Sequence, residues 1–135
     1  MQSKETVRYW SETPCLRQPS VLVVDVDRGS RRAIRDELFR EGFVVNTAAS
    51  QRQGIELAES GEYDAIVCGL SRRDLDGLAL ARSLRHLRPP PSVLLLVHGP
   101  RSAALGDART AGACEVLPMP LDLRQLSLTL REMTS

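Results

Sequence analysis

Aromatic residues are scarce in this chain: two Phe, two Tyr and one Trp, 4% of 135 residues. A core must therefore be built from Leu, Val, Ile and Ala. Neither sign of charge is in excess, since 18 Lys+Arg against 17 Asp+Glu leave a formal charge of +1. That balance argues against a dedicated nucleic-acid binder, which carries a basic surplus, although it allows a local basic patch. The three cysteines, Cys15, Cys68 and Cys114, are odd in number and widely spaced. They form no CxxC zinc pair and no disulfide framework, so a reducing compartment is expected. No apolar run approaches the roughly 20 residues of a membrane helix. The opening MQSKETVRYW lacks the charged-then-apolar order of a signal peptide. These absences lead to the expectation of a cytoplasmic protein with neither membrane nor nucleic acid as partner.

What is present is a regular alternation. Residues 1–19 are polar and end in the breaker-rich TPCLRQPS, and they read as an extension whose Tyr9 and Trp10 either dock on something or belong to a loose tail. From residue 20 to 135 the pattern is that of a single domain, within the usual 100–200 or so residues. VLVV (21–24), ended by Asp25, suits a strand buried on both faces. SRRAIRDELFREG follows as a helix with Ser30 as N-cap, Gly42 as stop, and Ala33, Ile34, Leu38 and Phe39 toward one face. FVVNTA is a second strand, and the helix beginning at Ser50 carries Ile55, Leu57 and Ala58 to about Gly61. AIVCGL, then LDGLALARSLRHL ahead of the prolines 89–91, give the third strand and helix. SVLLLV (92–97), the most hydrophobic run, is expected to be central. RSAALGDARTAG is a short fourth helix, EVLP a fifth strand, and LDLRQLSLTLREM a last helix with Leu123, Leu126 and Leu130 in register.

Five strands alternating with helices predict an α/β fold: a five-stranded, parallel, doubly wound sheet with right-handed crossovers. The flavodoxin-like strand order 2-1-3-4-5 places a functional crevice at the carboxyl ends of strands 1 and 3. Those ends are Asp25-Val26-Asp27 and Gly69-Leu70-Ser71.

VLVVDVDRGSRRAIRDELFREGFVV, EYDAIVCGLSRRDLDGLAL and AGACEVLPMPLDLRQL together resemble the receiver domains of two-component response regulators, over about Pro19 to Met133. The resemblance implies a domain that takes a phosphoryl group from a histidine kinase onto an aspartate ending the third strand. Such chemistry needs Mg²⁺ held by acidic oxygens, plus a lysine and a hydroxyl at the phosphoryl oxygens, and works mainly by positioning and charge stabilisation. Carried onto this sequence, the first-strand acidic pair is Asp25 followed by Val26, and the phosphoacceptor position holds Gly69. Gly77 falls on the family's glycine downstream and fixes that register. The hydroxyl position is Val97, the Lys-Pro pair is Met119-Pro120, and the switch aromatic of the fifth strand is Val116. The family's equivalent of the Met119–Pro120 bond is cis, which an X–Pro bond permits.

Loss of nucleophile, metal acid, hydroxyl and lysine together implies a receiver scaffold without phosphoryl transfer, with no catalytic residue, no cofactor and no metal. Asp64 lies at the wrong end of strand three to substitute, and Asp74 and Asp76 lie beyond the loop. Asp25 reads as a remnant capping backbone N–H groups, and Asp25 with Asp27 is a weak cation candidate. Arg72 and Arg73, over the crevice, either hold an anion or are simply solvated, and His98 reads as incidental. Cys68 and Cys114 read as small core hydrophobes. Val97, Val116 and Met119 are expected to pack as one apolar cluster. Arg28, Arg31, Arg32, Arg35 and Arg40 alternate with Asp36, Glu37 and Glu41 as a solvated face with i,i+4 pairs, a docking face for an acidic partner being the lesser reading.

The resulting expectation is a stand-alone, degenerate receiver that acts through phosphorylation-independent contact with a protein: a histidine kinase, another regulator or a scaffold. By family analogy, the surface of the fourth helix, fifth strand and last helix (with Arg109, Arg124 and Arg131 beside Asp107 and Glu115) would serve a homodimer. The alternative is a small-ligand-binding flavodoxin-like domain using the same crevice, for which Gly29 and Ser30 at a helix start are a weak phosphate-loop match.

Overall fold

The computed structural model describes residues 18–69, 77–97 and 115–134. Five strands are present: β1 (Ser20–Val24), β2 (Val44–Ala48), β3 (Ala65–Gly69), β4 (Ser92–Val97) and β5 (Glu115–Pro118). Among the described residues, four helices connect or follow them: α1 (Arg28–Arg40), α2 (Gln51–Ser60), α3 (Gly77–Leu84) and α4 (Leu123–Thr134). The helix expected over RSAALGDARTAG lies outside the described residues, as do Tyr9, Trp10, Cys15 and Cys114.

All strand pairs are parallel and the order is β2-β1-β3-β4-β5, as the alternation predicts. SVLLLV is interior but not central, because β3 is the middle strand and β4 lies between β3 and β5. Strand pleating sends alternate side chains to opposite faces. Leu22, Val24, Ile66, Cys68, Val93, Leu95, Val97 and Val116 pack with Ala58 of α2 and Leu80, Ala81 and Leu84 of α3. On the other face Val21, Val23, Ala65, Val67, Leu94, Leu96 and Leu117 pack with Ile34 and Leu38 of α1 and Leu126 and Leu130 of α4. Burial on both faces is why the strands read as continuous apolar runs.

Local chemistry sets the helix ends. The N-cap of α1 is Asp27, not Ser30: its side chain accepts the Ser30 N–H at 2.7 Å, so the helix starts at Arg28 and Ser30 sits in its first turn. Past Arg40, Gly42 turns the chain at φ +94°, a conformation that a residue without Cβ adopts freely. The buried stripe of α1 is narrower than expected. Ile34 and Leu38 are buried, whereas Ala33 is exposed and Phe39 is 75% exposed. Successive helix residues are about 100° apart, which carries Phe39 off the face that Leu38 occupies. In α2 the Ser50 hydroxyl caps the Gln53 N–H at 3.1 Å, and the Gln53 side chain accepts the Ala49 N–H at 2.9 Å. Among the described residues, no helix is long and apolar enough to cross a membrane.

Candidate functional site at the carboxyl edge of the sheet

Because the strands run in parallel, their carboxyl ends share one edge, where β1 delivers Asp25 and β3 delivers Gly69. The Asp25 N–H donates to the Ala48 carbonyl at 3.1 Å, extending the β1–β2 ladder by one step. The residue is 9% exposed, and its Oδ1 accepts the Asp27 N–H at 2.9 Å. Oδ2 lies 3.0 Å from the point where a Cβ on Gly69 would stand, and Cγ lies 3.2 Å from it. The remaining carboxylate thus leans over the bare Cα of the neighbouring strand.

The turn after β1 is tied to α1 from both sides. Arg31 Nη1 donates to the Asp25 carbonyl at 2.8 Å and reaches the Val26 carbonyl at 3.5 Å. Asp27 faces the other way, into the helix start. The Ser30 N–H, then the Ser30 side chain, hold its carboxyl below the usual carboxylate range, aided by Arg31 and opposed by desolvation. The two acids are therefore two residues apart in the chain but engaged with different backbone N–H groups. Among the described residues, no group of three or more His, Cys, Asp or Glu side chains is placed to hold a metal ion.

On the far side of the edge, the Val97 carbonyl accepts the Met119 N–H at 2.8 Å, and the Met119–Pro120 peptide is cis. The chain from 21 to 131 matches the profile of the response regulator receiver domain. The protein belongs to that family.

Response regulator MprA of Mycolicibacterium vanbaalenii is 32% identical over 111 residues, 82% of this chain and 48% of that protein. The transcriptional regulatory protein ZraR of Escherichia coli is 29% identical over 83% of this chain and 25% of its own length. The receiver thus spans half or less of the curated relatives it matches. A signal receiver domain structure from Bermanella marisrubri is 31% identical with a TM-score of 0.75, covering 88% of this chain and 100% of that one. Chemotaxis protein CheY4 of Vibrio cholerae shares the fold at 22% identity with a TM-score of 0.80, over 87% and 99% of the two chains.

Within the receiver, the positions singled out in the sequence do not all meet. Asp25 and Gly69 do, while Val26 packs partly into the α2/α3 side of the core. Val97 and Val116 share that same cluster at 1% and 0% exposure. Met119 does not join them. It packs against the opposite cluster, since it has the strand parity of Leu117, not of Val116. Pro120 is exposed. Cys68 is buried and forms no disulfide, as a core role requires. Asp64 sits at the amino end of β3 and accepts the Ser20 N–H at 2.8 Å, far from the crevice edge. Leu70, Ser71, Arg72, Arg73, Asp74, Asp76, His98, Asp107 and Arg109 lie outside the described residues.

The expected i,i+4 pairs along α1 are replaced by Arg35–Asp36 at 3.0 Å and the i,i+3 pair Arg40–Glu37 at 2.6 Å. Two features of this region escaped the sequence reading. One is Arg31 as a strap on the β1–α1 turn, and the other is Thr47 of β2 facing the arginines of α1. The close spacing of Arg28, Arg31, Arg32 and Arg35 was the available signal for the second.

Proposed function

We propose that this receiver serves signal transduction without accepting a phosphoryl group, and that it is not an enzyme. The observation that carries this reading is the pairing of Asp25 with Gly69. The position ending β3 has no side chain, and the neighbouring acid fills the adjacent space. A Mg²⁺ site asks for several oxygen ligands in near-octahedral array. Here the pair after β1 offers Asp25, whose Oδ1 already accepts an N–H, followed by the apolar Val26. These residues do not fit the ion. Met119 in place of a lysine offers no cation to a phosphoryl group, and the buried Val97 offers no hydroxyl.

On this reading the domain works by contact with a protein in the cytoplasm: a histidine kinase, another regulator or a scaffold. The small-ligand-binding alternative is weakened, for a phosphate-bearing ligand, by the start of α1. Its Ser30 N–H, which a phosphate would use, is bonded to the anionic Asp27 side chain. Incubation of the full chain with acetyl phosphate and Mg²⁺, followed by intact mass measurement, tests the proposal. No adduct is expected. An acid-labile gain of about 80 Da, one phosphoryl group, would overturn it.

A further inference from the structure

Four of the five arginines of α1 share a groove with the edge strand. Arg28, Arg31, Arg32 and Arg35, together with Thr47 of β2, line a volume of about 340 Å³. Their charge is little cancelled from within. Among the described residues, Arg28 and Arg32 have no hydrogen-bond or ion-pair partner. Arg31 donates to main-chain carbonyls and lies near Asp27, and Arg35 alone is within ion-pair distance of a carboxylate, that of the exposed Asp36.

Residues 28, 32, 35 and 39 recur at steps of four and three, so they form one stripe along the helix. Ile34 and Leu38 anchor the helix to the sheet, and the stripe lies along its flank. It ends at Phe39, the most exposed large hydrophobic side chain among the described residues. At a rise of about 1.5 Å per residue, Arg28 to Phe39 spans roughly 16 Å, the reach of about five extended residues.

We propose that this groove binds an extended acidic segment of a protein partner. Carboxylates of the segment pair with the guanidiniums of Arg28, Arg32 and Arg35, and an apolar side chain rests on Phe39. The planar fork of arginine matches a carboxylate with two parallel hydrogen bonds, which a diffuse positive surface does not provide. A nucleic acid fits less well, because it asks for a longer basic track than four side chains on a chain of net charge +1. The proposed pairs use Arg28, Arg32 and Arg35, which do not touch the crevice residues, so the inference stands whether or not position 69 can accept a phosphoryl group.

The test is fluorescence anisotropy on the full chain with a labelled, amidated hexapeptide, Glu-Asp-Glu-Asp-Glu-Leu, and with an all-acidic version lacking the leucine. Both peptides should bind, more weakly as salt rises. The exposed double substitution Arg28→Gln/Arg32→Gln should weaken binding about tenfold, while Arg124→Gln on α4 leaves it unchanged. Phe39→Ser should weaken only the leucine peptide. Absence of binding to the wild-type chain would overturn the proposal. So would equal losses in the Arg124→Gln control, or tighter binding of a single-stranded DNA of the same charge.

Discussion

Asp25 Oδ2 stands 3.0 Å from the place a Cβ on Gly69 would take, closer than side chains ordinarily approach. The two positions are thus coupled: a side chain at 69 requires the Asp25 carboxylate to move, and that carboxylate is held by the Asp27 N–H. Gly69→Asp would place a second carboxylate beside it in a site where Asp25 is 9% exposed. Like charges at such range raise a folded-state pKa. A raised pKa gives stability that is complete below the unfolded value and lost as pH rises through the folded one. The variant should therefore be less stable than wild type by about 1–3 kcal/mol at pH 7, with the deficit shrinking as pH falls to about 4. Chemical denaturation at both pH values measures this, and a pH-independent difference would contradict it. The single change should also leave the chain inert to acetyl phosphate, because Val26 still supplies no second acid to the first-strand pair and Met119 no cation.

Asp27 gives the opposite pH signature. Its carboxyl is held below the usual range by the Ser30 N–H and side chain, and by Arg31. A depressed pKa means stability that is present above the unfolded value and lost as pH falls through the folded one. Asn caps helices about as well as Asp but does not titrate. Asp27→Asn should therefore match wild type at low pH and fall slightly behind it above about pH 4, where the wild-type carboxylate is ionised. Asp27→Ala should be the least stable of the three at neutral pH. Thermal melts at pH 3 and pH 7 separate these outcomes.

The strands and their order were legible in the sequence because a parallel sheet buried on both faces leaves unbroken apolar runs, as in Val21–Val24 and Val93–Val97. The meeting of Asp25 and Gly69 followed from topology, one step beyond the Val24–Cys68 pair. Other features depended on choices that composition does not make. Asp27 and Ser30 are both good caps, and the hydrogen bond actually formed selected Asp27. Met119 was misplaced because pleat parity, not chain proximity to Val97, determines which layer a side chain joins. The arginine groove was legible only as the lesser reading of a docking face, since a charged helix face reads as solvated until the edge strand beside it is seen.

Two glycines in helices should respond oppositely to alanine. A Cβ on Gly54 of α2 would lie 2.9 Å from Val24 Cγ2, and Val24 is fully buried at χ1-restricted Cβ branching that cannot swing away. A Cβ on Gly29 of α1 would meet only Asp27 Oδ2 at 3.5 Å, an ordinary contact. Alanine gains up to about 1 kcal/mol of helix propensity over glycine. At position 54 overpacking of about 1–3 kcal/mol outweighs that gain. Gly29→Ala should accordingly stabilise the domain and Gly54→Ala destabilise it. A double-mutant cycle of Gly54→Ala with Val24→Ala should show coupling above about 0.5 kcal/mol, since the clash disappears with the valine methyls.

The last turn of α4 is fastened to the turn after α1 by Arg131. Its guanidinium carbon lies 5.5 Å from the centroid of the buried Phe43 ring. Nη2 donates to the Glu41 carbonyl and lies 3.4 Å from Glu41 Oε1. Three interactions are thus joined in one side chain, and their sizes differ. The ion pair is half-exposed on both sides, at 52% and 42%, and solvent screening makes such a pair worth little. The ring contact and the carbonyl hydrogen bond are each worth about 0.5–1 kcal/mol. Arg131→Ala should cost about 1–2 kcal/mol by urea denaturation, while Glu41→Gln, which keeps the carbonyl, should cost under about 0.5 kcal/mol. Added salt should leave most of the Arg131→Ala deficit in place, because neither the ring nor the carbonyl carries a net charge. A deficit that vanished in about 0.5 M salt would instead assign the fastening to the ion pair.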